Sequence, residues 1–229
     1  MDGVMTLEQL LHAVDVAFEE TGREMAPWPD PHPDRSPAED EYSRVTDAAR
    51  YRILVARVDA WIAVLTAAGL AELEADVDAV WRVEPGTRIG RADRLVPIRP
   101  DALALVVARS CIDDVDDAGI TIGAGDPALL VAIVPDCGCD ACDSGSSVLL
   151  DELDGYLLAV VAGVFRRLTS RDREITELLD GQITASSRRG MSRATIDRIR
   201  ARPPRGWTET SGAPWLDVTT IRGTPAAPV

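Results

Sequence analysis

The chain has 229 residues, 46% of them apolar and 27% charged, and a formal net charge of −14; that length and apolar share suit one sizeable domain with a real core. All 24 basic residues are arginine and there are only two histidines, which excludes P-loop, kinase-strand and Schiff-base lysine chemistry and leaves a hydrolase only His12 or His32 as its base. The negative charge disfavours nucleic acid as a partner, and no apolar run reaches the ~18 residues of a membrane span.

The first residues carry no basic start followed by an apolar stretch, so the sequence predicts a cytoplasmic protein, in which thiols stay reduced. Thr6 and Gln9 form a capping box for a first helix, with Leu7, Leu10, Leu11, Val14 and Phe18 as its apolar stripe and Gly22 as its end. His12 falls within this helix, beside the stripe. Residues 26–37 hold five prolines in twelve positions, which forbids a helix and predicts an extended strap anchored on the core by Trp28 and His32. Ser36, Pro37 and Glu39 supply N-cap, first position and capping acid for the next helix, with a break near Thr46-Asp47. Its main body is marked by Tyr51, Leu54, Val55, Val58, Trp61, Ile62 and Leu65, and Gly69 closes it.

From residue 76 the period changes to two: Val77, Ala79, Trp81 and Val83 alternate as in a strand with one wet face. Further strands are predicted near 94–98, 103–109, 119–122 and 128–134, joined by polar turns without intervening helices, which favours antiparallel pairing. Leu150, Leu153, Leu157, Val160 and Val161 mark a helix over 147–162. A strand over 164–168, a hairpin over 175–185 turning at Asp180-Gly181, a short helix over 192–201 and a core-pinned Trp215 complete the chain, with 217–229 as a loose tail. The sum is a single α+β domain over 1–216, helices packed against a mostly antiparallel sheet.

Three of the four cysteines fall within six residues, in Asp136-Cys-Gly-Cys-Asp-Ala-Cys-Asp143. Cys139-x-x-Cys142 has the spacing of a metal knuckle, Cys137 adds a third sulfur, and zinc is the ion such a set suits. A tetrahedral site needs a fourth ligand. Cys111, at the end of a neighbouring strand, is the first choice, with Asp140, Asp143, His12 or His32 as alternatives. The acids of the loop raise the thiols and weaken a nucleophilic or redox role. They also over-neutralise a divalent ion, with no arginine close by in sequence.

Other words offer less. Asp113-Asp114-Val-Asp116-Asp117 opens like a calcium loop, but its twelfth position is Gly125 rather than glutamate. Gly123-x-Gly125-x-x-Ala128 has dinucleotide spacing but precedes a strand, so no nucleotide cofactor is indicated. Residues 166–205 carry eleven arginines against five acids, and Arg171–Ile199 resembles parts of a response-regulator helix-turn-helix without its middle helix.

The words Trp28-Pro-Asp-Pro-His-Pro-Asp-Arg-Ser-Pro37, Glu41-Tyr-Ser-Arg-Val-Thr-Asp47, Tyr51-Arg-Ile-Leu54, Asp136–Gly145 and Gly212-Ala-Pro-Trp215 together resemble an uncharacterised actinobacterial protein family over nearly the whole chain. The resemblance implies a bacterial cytoplasmic protein and no particular activity. The function expected from the residues is a non-enzymatic acidic binding protein that takes a basic protein partner and holds a structural metal. The alternatives are a metal-dependent enzyme joining the cysteine loop to Asp113–Asp117, and a DNA-binding regulator acting through 166–205.

Overall fold

A computed structural model describes residues 5–187 and 190–216, so the expected loose tail at 217–229 lies outside the described residues. Helix α1 spans Leu7–Thr21, opened by the Thr6/Gln9 capping box and ended at Gly22. Helix α2 spans Ile53–Ala67 and buries Leu54, Val58, Trp61 and Leu65. It packs against α1 on one side and against the main sheet on the other. Two short 3-10 turns, Glu39–Ser43 and Ala48–Arg52, lead into it. The expected cap at Ser36-Pro37 is displaced by two residues: Glu41, not Glu39, turns back to accept from the Ala38 N–H at 2.5 Å.

The main sheet is an antiparallel meander in the order β1 (Ala71–Glu74), β2 (Ile89–Pro97), β3 (Leu105–Ile112), β4 (Val115–Ala124) and β5 (Leu129–Val134). Helix α3, Ser146–Val161, lies beside α2 and over β3, β4 and β5. One apolar cluster joins α1, α2, α3 and the covered sheet face, and Trp215 closes it, its Nε1–H donating to the Leu103 carbonyl. The fold is thus α+β with antiparallel sheets, as the turn-linked strand pattern predicts.

The alternating run at 77–83 is not a sheet strand. Asp76 has φ +54°, which breaks the extension, and the segment makes only one parallel bridge, Trp81 with Ala128. What packs is Trp81, whose ring lies over Gly123, where a Cβ would come within 2.7 Å of it, while Val83 is exposed.

The C-terminal part forms a second antiparallel sheet, ordered β8 (Ile183–Ser187), β7 (Arg173–Glu177), β6 (Arg166–Thr169), β9 (Thr208–Ser211). Helix α4, Arg193–Ala201, is capped by Ser192 and packs Ile199 on Leu168 and Ile175. Residues 173–187 are a hairpin, which overturns the helix-turn-helix likeness. Two arginines of the 166–205 segment are spent internally: Arg166 bonds Glu177 and Glu209, and Arg200 bonds Glu177 and Asp197.

Candidate metal centre

The loop from Asp136 to Gly145 connects β5 to α3 and is held from three directions. Below it, Gly138 rests on Ile112 at the end of β3; a Cβ there would sit 2.4 Å from the Ile112 Cγ2 atom. At its far end Gly145 takes φ +85°, and a Cβ would sit 2.6 Å from the Asp30 nitrogen, so only glycine lets the strap pass. The strap lies where Trp28 and the prolines predict. Trp28 and Ser146 share three backbone-anchored bonds, Trp28 N–H to Ser146 Oγ, and Ser146 N–H and hydroxyl to the Trp28 carbonyl.

The third support is charge. Asp143, with no side-chain exposure, accepts from Trp28 Nε1–H at 3.0 Å and pairs with Arg50 at 2.8 Å. The Arg50 guanidinium lies against both Trp28 and Tyr51, 5.3 and 5.1 Å from their ring centres, while the two rings meet edge to face. Asp140 accepts from Arg44 Nε at 2.7 Å and from the Thr46 N–H and hydroxyl. Burial opposes ionisation of Asp140, but the bonds from Thr46 and Arg44 outweigh it and hold the acid down at about 2. Arg44 also reaches Glu41, which receives a bidentate clamp from Arg35 of the strap. A chain of ion pairs therefore runs from strap to loop.

The sequence leaves the loop's acids without an arginine; the fold supplies Arg44 and Arg50. Both carboxylates are scaffold, and the over-neutralisation expected of the loop is removed for Asp140 and Asp143. What remains is sulfur. The Sγ atoms of Cys137, Cys139 and Cys142 lie within 4.8 Å of one another, and Cys137 Sγ is 3.2 Å from Cys139 Sγ. Among the described residues this is the one place where three such ligand atoms converge. A zinc ion with ~2.3 Å bonds to tetrahedral sulfurs needs them ~3.8 Å apart, so the set fits an ion with small adjustment.

The three thiols are not equivalent. Burial raises Cys139, but hydrogen bonds from Cys137, Cys142 and the backbone N–H groups of Cys142 and Ala141 outweigh it and pull it below the ordinary thiol value. Cys142 is pushed up to about 12, first by its bond to Cys139 and then by burial. The expected upward shift of the loop thiols therefore fails at Cys139, because donors inside the loop stabilise its negative charge.

Cys111 stands outside the converging group. Its thiol donates to Asp116 Oδ1 at 3.1 Å, and burial followed by that bond raises it. It nevertheless lines a cleft of about 320 Å³ together with Asp136 and Gly138. His12 is exposed on α1. His32 belongs to the strap and its side chain is buried against Glu41, Nε2 lying 3.4 Å from Glu41 Oε2. Neither histidine joins the sulfurs.

Asp113 and Asp114 form the two-residue β3–β4 turn, with φ +48° and +62°, and Asp117 has φ +60° in the adjoining bulge. Aspartate tolerates left-handed backbone, which accounts for the run. Arg88 pairs with Asp114 and Asp116 outside the turn.

A family model matches residues 14–219, the strap, both sheets and the cysteine loop included. The chain belongs to DUF6226, a family of unknown function. No curated protein and no solved structure matches it. Within this DUF6226 chain the residues that sequence reasoning missed are Arg44, Thr46 and Arg50. Their only sequence signal is membership of the Glu41–Asp47 word and its border, with nothing to tie them to positions 140 and 143.

Proposed function

We propose that this is an acidic, non-enzymatic binding protein of a reducing, cytoplasmic compartment, whose cysteine loop holds a metal ion, zinc being the ion that suits it. The observation that carries the metal is the convergence of three sulfurs on a loop whose two buried carboxylates are already bound to arginine. Soft thiolates with borderline geometry select zinc-class ions, and an incoming ion replaces the protons now shared among the three thiols. All four cysteines are free, as a reducing compartment keeps them. No helix among the described residues is long and apolar enough to cross a membrane.

The partner we propose is a basic protein. The net charge of −14 favours one, and a groove of about 450 Å³ between α3 and the 178–182 turn offers it a place. Asp151 and Glu152 line that groove beside Val148, Leu178 and Leu179, with no basic side chain among the described residues of its walls. A segment presenting arginine or lysine next to an apolar residue complements it.

The metal is tested by loading the purified chain with zinc and following release to a chromophoric chelator as thiols are blocked. Release of one equivalent, lost in Cys139→Ser, supports the reading; no release from either protein sinks it. The partner is tested by affinity capture, where recovery of only acidic proteins, or of none, counts against it.

A further inference from the structure

The chain offers a cysteine-bound ion three corners of a tetrahedron. We propose that the fourth ligand comes from outside the chain as a neutral nitrogen donor, the imidazole of a histidine on a partner protein. The proposal rests on the metal reading above and concerns what completes that site.

Every cysteine and histidine of the sequence lies within the described residues, so each can be placed. Cys111 is bonded to Asp116 and stands outside the sulfur group. His12 faces solvent on α1, and His32, within the strap, is turned against Glu41. Asp136, the loop's third acid, is exposed and does not join the sulfur group, and the other two carboxylates are committed. Asp140 takes three donors from Arg44 and Thr46, and Asp143 takes Trp28, Arg50 and the Gly145 N–H. Turning Asp143 toward the sulfurs would take the carboxylate from Arg50 and the acceptor from Trp28, and turning Asp140 would break its three bonds to Arg44 and Thr46, a cost that an outside ligand does not carry.

The sulfur face is accessible. Cys137 and Cys142 are exposed and Cys139 is the buried base. Structural zinc sites close with four protein ligands, whereas three protein ligands leave a position that exchanges. The charge then selects the donor. Three thiolates around a divalent ion leave about one negative charge, on a chain that already carries −14. A thiolate or carboxylate arriving from outside meets that repulsion; a neutral imidazole does not. Imidazole is also a good zinc-class ligand on its own chemistry.

Cobalt(II) reports the shell directly. The full chain loaded with cobalt is titrated with imidazole, with glutathione as an anionic thiol for comparison. Expected is a saturable shift of the visible cobalt bands at constant sulfur-to-cobalt absorption, at lower concentration for imidazole than for glutathione. The starting spectrum is expected to be unchanged in Cys111→Ser and in His32→Ala, both outside the sulfur group. Bound cobalt whose spectrum ignores imidazole overturns the proposal while leaving the metal reading intact. So does a spectrum that changes when Cys111 or His32 is replaced, or a stronger response to glutathione. A chain that binds no cobalt removes both.

Discussion

Two acidic loops lie close together at one end of the main sheet, and the fold treats them in opposite ways. In the β3–β4 hairpin the aspartates are backbone devices: Asp113, Asp114 and Asp117 hold left-handed positions, and the Asp114 side chain is fully exposed. In the cysteine loop two of the three aspartates are buried and each of these meets a guanidinium, Asp140 with Arg44 and Asp143 with Arg50. The lesson is that a run of acids carries no fixed meaning. Where backbone torsion requires them they remain solvated; where arginines enclose them they shape a loop and leave other ligands free to act.

That contrast predicts unequal responses to substitution. Asp143→Ala leaves the partly buried Arg50 without its carboxylate and Trp28 Nε1–H without an acceptor. It should cost about 3–5 kcal/mol in urea unfolding, and a loss below about 1 kcal/mol would show the pair to be ornamental. Arg44→Ala leaves the three sulfurs in place but unfastens Asp140 from the strap. Zinc affinity should fall about 10–100-fold, as for other outer-shell changes, with thermal unfolding little altered because Arg44 is half exposed. Unchanged affinity would mean that the arginine does not position the loop.

A smaller effect follows from Glu41. Its bonds from Arg35 and the Ala38 N–H hold it well below the ordinary carboxylate range, against burial. A depressed folded value means that its stabilisation is complete above the unfolded value of ~4.3 and is lost as pH falls below that toward the folded one. The strap should therefore become open to proteolysis in acid before α2 unfolds, and Glu41→Gln should open it at neutral pH. Strap and helix yielding together at every pH would contradict this. Smallest of all, Asp114→Asn keeps a residue that tolerates the left-handed turn and should leave the urea midpoint where it was. A large shift there would erase the difference between the loops.

The sequence made some of this legible. Helices α1, α2 and α3 follow from apolar spacing, because each buries one continuous stripe. Strands β1 and β9 did not declare themselves: Ala71–Glu74 and Thr208–Ser211 are short, mostly polar and sit at sheet edges with one partner each. The run around Trp81 misled because a chain crossing a sheet face can alternate without pairing. The cysteine loop was visible because its sulfurs are local. Its scaffold was not, since Arg44 and Asp140 are 96 positions apart and Trp28 and Asp143 are 115. Only the fold brings those charges together, and so the loop's acids looked like a liability for a metal.

The decisive measurement is a thiol titration of the untagged, native chain alongside elemental analysis of the same sample. One equivalent of zinc with three protected thiols, and one reactive thiol that disappears in Cys111→Ser, is the predicted result. Four reactive thiols and no metal, after purification with and without added zinc, would contradict it.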